Sequence, residues 1–257
     1  MDNKTLVQQQ FGANAAAYAT STVHAKGASL PRLVELTQPR AGWRALDIAT
    51  GAGHTAFAFA PHVTHVTASD LTPEMLTVAT RLAQEKGLTN VDFREADAEA
   101  LPFDAATFDL VTCRIAPHHF ADVPRFVQEC ARVLVPGGVL AIVDNIVPEN
   151  PTAADFVNAF EKYRDPSHVR CLSAAEWADA YEQAGIRLTH AEEAKKAMNF
   201  DAWADNMNAS PEMRSALRKM LHEAPAQAKE FLSPQFLEDG SITFYLSEGI
   251  FIGKKDR

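Results

Sequence analysis

The residues best suited to bind a ligand lie in a glycine-rich turn between an apolar strand and a helix. In the run ALDIATGAGHTAFAFA the strand ends at Asp47, and Gly51 and Gly53 precede the helix. Glycines let a ligand approach the backbone closely, and the start of a helix presents backbone amides to it. The spacing Gly51-x-Gly53-x-x-Ala56 also fits a relaxed dinucleotide fingerprint. The turn alone therefore leaves open a nicotinamide or flavin site, and also a glycine turn needed only for packing.

Two acidic residues follow the next two predicted strands. Asp70 closes the segment THVTASD about 20 residues beyond the turn, where a carboxylate can accept both ribose hydroxyls and Leu71 can pack against an adenine. In READAEALPF, Asp97 can accept from an adenine amino group while the amide of Ala98 donates to a ring nitrogen. The alternatives are a helix cap at Asp70, a role that Thr72 can also fill, and a solvated loop acid at Asp97.

Polar side chains also follow the fourth predicted strand, in the segment CRIAPHHF. They are Arg114 and the adjacent histidines His118 and His119. Histidine titrates near neutrality and can take a proton from a phenol or an activated carbon. Either histidine is therefore a candidate catalytic base, and the alternative is that one of them packs beneath the ligand.

The segment FGANAAAYATSTVHAKGAS near the start of the sequence is rich in small residues and predicts a helix. A helix of this kind can close over a site and exclude water, with Tyr18 and His24 as its polar candidates. Tyr18 joins the candidate catalytic residues on this ground. A simple surface helix fits the same pattern.

The elements that must position these residues alternate between short apolar runs and helical stretches, which is typical of a parallel sheet covered by helices on both faces. The predicted strands are 45–48, 65–69, 91–95, 108–113, 139–144, 186–191 and a last strand within 241–255. The predicted helices are 55–60, 73–86, 121–133, 153–163 and 173–184. Between the third of these helices and the next strand, Pro136, Gly137 and Gly138 predict a turn.

Residues 199–232 predict helical insertions that form a lid. Large apolar side chains assigned to the lid suit an apolar or aromatic ligand, and they equally suit a packed lid core. They are Trp177, Phe200, Trp203, Met207 and Met213. The segment YRDPSHVRC, with Arg164, His168 and Arg170, can receive an acidic ligand or can join the lid to the rest of the chain.

Composition and charge argue against several classes of function. The chain has 257 residues, a net charge of -9 and no run of lysine or arginine, which disfavours nucleic acid and an anionic membrane surface as partners. No apolar stretch approaches the roughly 20 residues that span a bilayer. The three cysteines lie far apart without zinc-ligand spacing, so we expect buried thiols and no metal site. The first residues lack a secretory signal pattern, and we expect a cytoplasmic location.

Five segments, in their order and spacing, resemble the class I S-adenosylmethionine-dependent methyltransferases, especially the subgroup related to ubiquinone and menaquinone biosynthesis C-methyltransferases. They are LDIATGAG, ASDLTPEML, DAEALPF, FDLVTCRIAPHHF and RVLVPGGVLAIVD. The resemblance covers roughly residues 40–150. One departure is Ala49, which stands where many members carry the first glycine of the turn.

The resemblance implies an α/β fold with a Rossmann-like, seven-stranded, mostly parallel sheet, a final antiparallel strand, helices on both faces and helical lid insertions. It implies one methyltransferase domain, in which 1–40 form an N-terminal helical cap, 41–150 the cofactor-binding core, and 151–257 the substrate lid and C-terminal strands. The cofactor S-adenosyl-L-methionine is expected over the glycine turn. The cofactor-binding residues are then Asp47, Ala49, Gly51, Gly53, Asp70, Leu71, Asp97, Ala98 and Arg114.

The expected activity is methylation of oxygen, carbon or nitrogen on a small-molecule acceptor, with no nucleic acid and no membrane as partner. Two other functions stay open: a nicotinamide-dependent oxidoreductase, and a family member that binds S-adenosylmethionine without transferring its methyl group. The sequence also leaves open whether the protein works as a monomer or as a homodimer.

Overall fold

The computed structural model describes residues 3–18 and 27–256, with side chains for 3–15 and 27–256. Its helices are α1 (Asn3–Tyr18), α2 (Ser29–Thr37), α3 (His54–Phe59), α4 (Pro73–Glu85), α5 (Val123–Val133), α6 (Pro151–Arg164), α7 (Ala174–Gln183), α8 (Phe200–Asp205), α9 (Pro211–Glu223) and α10 (Ala226–Leu232). Its strands are β1 (Arg44–Ile48), β2 (His65–Asp70), β3 (Val91–Glu95), β4 (Phe108–Arg114), β5 (Leu134–Ile146), β6 (Ile186–Asn199), β7 (Gln235–Phe236) and β8 (Ile242–Lys255). A short 3-10 helix, Pro117–His119, carries both candidate histidines.

Within the described residues the strands form one sheet in the order β3-β2-β1-β4-β5-β8-β6, and the two-residue β7 pairs with β8. The pairs among β1 to β5 are parallel, whereas β8 is antiparallel to both β5 and β6. The predicted Rossmann-like sheet with a final antiparallel strand is therefore confirmed. The order reverses beside β1, whose neighbours are β2 and β4, and this reversal opens a crevice at the carboxyl ends of the strands.

Strand β5 begins earlier than the sequence predicts. Leu134 already pairs with Phe108, and the next pair is Leu110 with Val139. The Pro-Gly-Gly segment expected as a turn before the strand is thus an irregularity inside it. It accommodates the extra residues of β5 without ending the pairing with β4.

Strands β6 and β8 extend beyond the edge of the sheet as an antiparallel ribbon. Ser247 is the last residue of β8 in this direction to pair with β5, opposite Ile146, yet pairing with β6 continues as far as Asn199 opposite Thr243. The strand predicted from the sequence ends at 191, whereas β6 continues through the charged run EEAKK, which lacks the apolar alternation of a half-buried strand. The ribbon leads directly into α8 and so brings the helices of 200–232 over the carboxyl edge.

Apolar side chains on the two faces of the sheet build two core layers. Leu46 and Ile48 of β1 belong to the layer under α5 and α7, and Ala45 belongs to the layer under α2, α3 and α4. Trp177 lies in the first layer, with its ring 5.6 Å from that of Phe251. The expectation that Trp177 belongs to the lid is therefore wrong, because α7 turns this side chain toward the sheet.

The helices that cover the ribbon have a core of their own. Phe160 of α6 stacks on Trp203 at 4.8 Å, and Phe200, Leu217 and Phe244 are buried around this pair. The helical insertions predicted over 199–232 are thus present as α8, α9 and α10. Across the described residues no helix is both long and apolar enough to cross a membrane.

Candidate active site

A cavity of about 490 Å³ opens at the carboxyl ends of β1, β2 and β4. This is the edge at which open α/β sheets bind ligands, and a pocket of about 300–1,000 Å³ is usual for a small-molecule site. Nine of the residues predicted from the sequence line it: Ala49, Gly51, Asp70, Leu71, Asp97, Ala98, Arg114, His118 and His119. Asp47 and Gly53 are buried and do not line it. Tyr18 is in α1, but its side chain, like the whole of His24, lies outside the described residues.

The glycine turn is built from left-handed backbone conformations. Gly51 has φ +54° and Gly53 has φ +89°, and Ala49 adopts φ +52° despite its side chain. A Cβ at Gly53 would lie 2.3 Å from the ring of Phe57, whereas a Cβ at Gly51 would meet no atom within 4 Å. Gly53 is therefore required by packing, and Gly51 leaves open space along the cavity wall.

Asp47 holds the turn from beneath. Its two carboxylate oxygens accept the hydroxyls of Thr50 and Thr112 at 2.6 and 2.7 Å. Burial raises the pKa of Asp47 to about 6, although the two threonine hydroxyls act in the opposite direction. The side chain thus ties β1, the turn and β4 together and acts on a ligand only through their positions.

Asp70 joins the glycine turn after β1 to the segment that follows β2. Its Oδ2 accepts the amide of Gly51 at 2.8 Å, and its Oδ1 accepts the amide of Thr72 at 2.9 Å. Burial raises the pKa of Asp70, and the two backbone amides oppose that rise. Thr72 occupies the N-cap position of α4, but its side chain makes no capping hydrogen bond. The hydroxyl of Thr72 opposes the rise as well, so only part of the carboxylate's capacity of about four lone-pair sites is left for donors from the cavity.

Helix α1 covers the acidic side of the cavity through Lys4, which the sequence did not single out. The ammonium of Lys4 lies 2.6 Å from Oδ2 of Asp97 and 2.8 Å from Oε2 of Glu99. Burial lowers the pKa of Lys4, but hydrogen bonds to these two acids outweigh it and leave the pKa raised. Asp97 is partly exposed at the edge of the cavity. Its carboxylate is already paired with Lys4.

Three further contacts hold α1 across the cavity mouth. Gln8 donates to the carbonyl of Leu71 at 2.9 Å, and Asn3 donates to the carbonyl of His119 at 2.7 Å. The ring of Phe11 meets that of His119 edge-on at 5.0 Å. Helix α1 therefore bridges Leu71, which follows β2, and the 3-10 helix that carries the two histidines.

The two histidines are adjacent, with ring centres 4.2 Å apart, but they have different partners. Nδ1 of His118 lies 2.6 Å from Oδ1 of Asp144, a residue buried at the end of β5. Nδ1 of His119 lies 3.2 Å from the hydroxyl of Ser167, which itself donates to Oδ1 of Asp165 at 2.6 Å. Asp144, Ser167 and Asp165 were not predicted from the sequence as partners of these histidines.

Burial, the carboxylate of Asp144 and the charge of His118 separate the pKa values of the two histidines. Burial lowers the pKa of His118, but Asp144 outweighs it and the net shift is upward. For His119, burial and the neighbouring charge of His118 lower the pKa to about 3. The pair can thus hold one imidazolium and one neutral imidazole side by side.

Arg114 lies between the turn and the histidines. Its Nε donates to the hydroxyl of Thr55 at 3.1 Å, and the side chain is buried. Burial lowers the pKa of Arg114, and the carboxylates of Glu248 and Asp47 oppose this. A buried guanidinium at this position can receive an anionic group of a ligand.

The opposite wall of the cavity comes from the ribbon and the lid. Trp203 and Met207 line it together with Arg164, whose guanidinium lies 4.4 Å from the centre of the Trp203 ring. The other members of the YRDPSHVRC segment have structural partners: Arg170 pairs with Glu176, and the ring of His168 bonds to Asn158. This wall therefore combines apolar and aromatic side chains with two cations, Arg164 and Lys196, and the ammonium of Lys196 lies 3.2 Å from Glu248.

The fold and the site together define a Rossmann-like α/β protein, with a glycine turn after β1, an acid at the end of β2 and another acid after β3. The methyltransferase-domain family matches residues 46–142. The uncharacterized methyltransferase YcgJ of Bacillus subtilis is 36% identical over 242 residues, which are 94% of this chain and 96% of that protein. Its crystal structure superimposes with a TM-score of 0.86 at 36% identity, covering 89% of this chain and 98% of that one. The chain belongs to this methyltransferase family.

Two further relatives carry more specific names. Demethylmenaquinone methyltransferase of Thermus thermophilus is 41% identical over 115 residues, which are 44% of this chain and 52% of that protein. This chain thus matches about half of that relative. A phosphoethanolamine N-methyltransferase 2 from Haemonchus contortus, in complex with phosphomonomethylethanolamine and S-adenosylhomocysteine, has a TM-score of 0.68 at 18% identity, over 100% of this chain and 61% of that one. At that identity the likeness concerns the fold alone.

Proposed function

We propose that this protein transfers a methyl group from S-adenosyl-L-methionine to a small-molecule acceptor. The observation that carries the proposal is Asp70, whose carboxylate lines the cavity while the amides of Gly51 and Thr72 hold it beside the glycine turn. An acid at this place in a Rossmann-like sheet accepts the hydroxyls of a ribose.

The other residues around the turn fit the rest of such a ligand. The open space beside Gly51 gives room for a chain along the backbone. Leu71 and Ala98 line the cavity, and we propose that an adenine lies against them, with Asp97, which also pairs with Lys4, accepting from its amino group. Arg114 would pair with the carboxylate of the amino-acid portion.

When bound, S-adenosyl-L-methionine supplies an electrophilic methyl group, whose bond to sulfur breaks with the electron pair remaining on sulfur. The protein has to orient the acceptor in line with that bond and to exclude water. Val7 and Phe11 of α1 line the cavity and serve the second purpose. Tyr18, on the same helix, is kept as a proposed catalytic residue on sequence grounds alone.

The acceptor is proposed to lie between the histidines and the lid. Trp203 and Met207 offer an apolar and aromatic surface there, so an acceptor with a ring or an apolar body fits this wall. We further propose that the chain works as one domain, with the cap at 1–40, the cofactor core at 41–150, and the lid and C-terminal strands at 151–257.

An acceptor screen tests this function. The protein is incubated with S-adenosyl-L-methionine and a panel of small phenols, enols, alcohols and amines, and S-adenosylhomocysteine is quantified by mass spectrometry. The proposal requires release that depends on an acceptor and is strongly reduced in Asp70→Ala. Binding of the cofactor without release under any acceptor would favour a non-methylating family member. Tighter binding of NAD would favour an oxidoreductase.

A further inference from the structure

The carboxylate of Asp144 fixes which nitrogen of His118 can meet a ligand. An ionised carboxylate can only accept hydrogen bonds, so Nδ1 of His118, 2.6 Å from Oδ1 of Asp144, carries a hydrogen. His118 lines the cavity, and Nε2 is then the nitrogen that can exchange a proton there. A histidine oriented by a buried acid through Nδ1 is the arrangement of a general base.

Ser167 gives His119 a different role. The one hydroxyl hydrogen of Ser167 is donated to Asp165 at 2.6 Å, so its oxygen accepts from Nδ1 of His119 at 3.2 Å. This assigns the Nδ1–H tautomer to His119 as well. With its pKa lowered to about 3 by burial, however, His119 stays neutral and is a weak base. It can accept a hydrogen bond through Nε2 without taking the proton.

Charged groups from three other elements act on the pair. Asp144 on β5 is joined by Glu161 and Arg164 on α6, and by Asp165 in the segment that follows. His168 lies 5.5 Å from His118, between ring centres, and its pKa is lowered by burial. The three acids favour a proton on His118, whereas Arg164 opposes a second proton on His119.

We propose that His118 and Asp144 form a proton-accepting dyad for an acidic hydroxyl group, a phenol or an enol, on the methyl acceptor. This inference rests on the proposed function and specifies its substrate class. The O–H proton passes to Nε2 of His118, and the electron pair left on oxygen forms the new O–CH₃ bond. Asp144 stabilises the imidazolium and is a positioning residue.

The pKa of a histidine base limits which acceptors can lose a proton to the dyad. A phenol with a pKa of about 10 lies within a few units of a histidine, whereas water, at about 15.7, is far too weak an acid. Proton transfer from a phenol leaves a phenolate beside the imidazolium, and these opposite charges attract. Transfer from an alkylammonium ion leaves a neutral amine and forms no such pair. Phenols and enols are therefore expected to react, and aliphatic alcohols and amines are not.

Nitrogen-15 NMR of the histidine rings tests the dyad without any acceptor. In the complex with S-adenosylhomocysteine, Nδ1 of His118 should be protonated throughout, and its ring should titrate above the ordinary histidine value. Asp144→Asn should lower that pKa by at least about one unit, whereas Glu129→Gln, which alters a buried acid outside the cavity, should leave it unchanged. An Nε2–H tautomer, or a titration unaffected in Asp144→Asn, would overturn the dyad.

Turnover of a phenol found in the screen provides the second readout. His118→Gln should lower kcat by at least about 100-fold, and His119→Gln by clearly less. In Asp144→Asn the acid limb of the pH profile should move to lower pH with KM nearly constant, and Asp144→Glu should restore part of kcat. A larger effect at His119, or turnover of amines in place of phenols, would contradict the assignment. Each variant should bind S-adenosylhomocysteine normally. If the unaltered protein binds it but turnover departs from this pattern, the dyad is rejected and the methyltransferase function stands. If the unaltered protein does not bind it, the methyltransferase function itself is rejected.

Discussion

The amide of Gly51 donates to Oδ2 of Asp70 over 2.8 Å, and this bond joins the turn after β1 to the turn after β2. The same carboxylate is proposed to receive a ribose. Asp70→Ala should therefore weaken S-adenosylhomocysteine binding by about 1.5–3 kcal/mol, or roughly 10- to 150-fold, the range for hydrogen bonds to a charged group. The variant should also melt earlier, because two amides lose their acceptor. Asp92→Ala, on β3 and outside the cavity, is the control, and equal affinities in the two variants would remove Asp70 from the site.

Alanine substitutions at three glycines with positive φ distinguish the cost of backbone strain from the loss of space for a ligand. Gly51→Ala and Gly87→Ala should each cost about 1–2 kcal/mol, because both have left-handed φ and open space around a new Cβ. Only the first should also weaken S-adenosylhomocysteine binding, since Gly87 lies outside the cavity lining. Gly53→Ala should be the most destabilising, because its Cβ meets the Phe57 ring. Thermal unfolding and calorimetry on the three variants check this, and normal affinity in Gly51→Ala would show that no ligand passes there.

Helix α1 should respond to the ligand through its cavity-lining side chains Val7 and Phe11. Hydrogen exchange of its amides is expected to slow when S-adenosylhomocysteine binds. Lys4→Ala removes two ion pairs worth up to about 1 kcal/mol each, so exchange in α1 should become several-fold faster. Lys219→Ala, which breaks an exposed pair with Glu223, is the control. Identical exchange of α1 with and without ligand would make it an ordinary surface helix.

His119 should make the protein sensitive to acid. Its pKa is about 3 in the folded state and about 6.5 when unfolded, so between these values only the unfolded state binds the proton. Stability from this residue is complete above about pH 6.5 and is lost as pH falls toward 3, at up to about 1.4 kcal/mol per unit. His118, whose pKa is raised, acts with the opposite sign.

Urea unfolding between pH 4 and pH 8 measures this dependence. His119→Gln should flatten the acid side of the profile, whereas the exposed His62→Gln should leave it unchanged. Equal slopes in the unaltered protein and in His119→Gln would contradict the burial of a neutral imidazole.

The features predicted correctly from the sequence are those that depend on local pattern. The strand before Asp47, the glycine turn, and the acids after β2 and β3 all follow from apolar runs and turn residues within one βαβ unit. The lid helices were predicted from composition, because residues 199–232 contain Trp203, several methionines and two prolines. The predicted start of β5 was too late, because Pro136 and the two glycines after it indicate a turn. In the structure β5 pairs with β4 both before and after these three residues.

The features that the sequence did not reveal are contacts between distant segments. Lys4 and Asp97 are separated by 93 residues, His118 and Asp144 by 26. Asp144 had a usable signal, since an apolar strand that ends in an acid places it on the same sheet edge as the histidines. The contact of Lys4 had none, because its helix is short of apolar periodicity and nothing local specifies where it docks.

Calorimetric titration with S-adenosylhomocysteine and with NAD measures which of the two ligands the cavity binds. We expect micromolar binding of S-adenosylhomocysteine with one site per chain, and no measurable binding of NAD under the same conditions. NAD that binds more tightly than S-adenosylhomocysteine would contradict this expectation, because the glycine turn and Asp70 would then serve a dinucleotide.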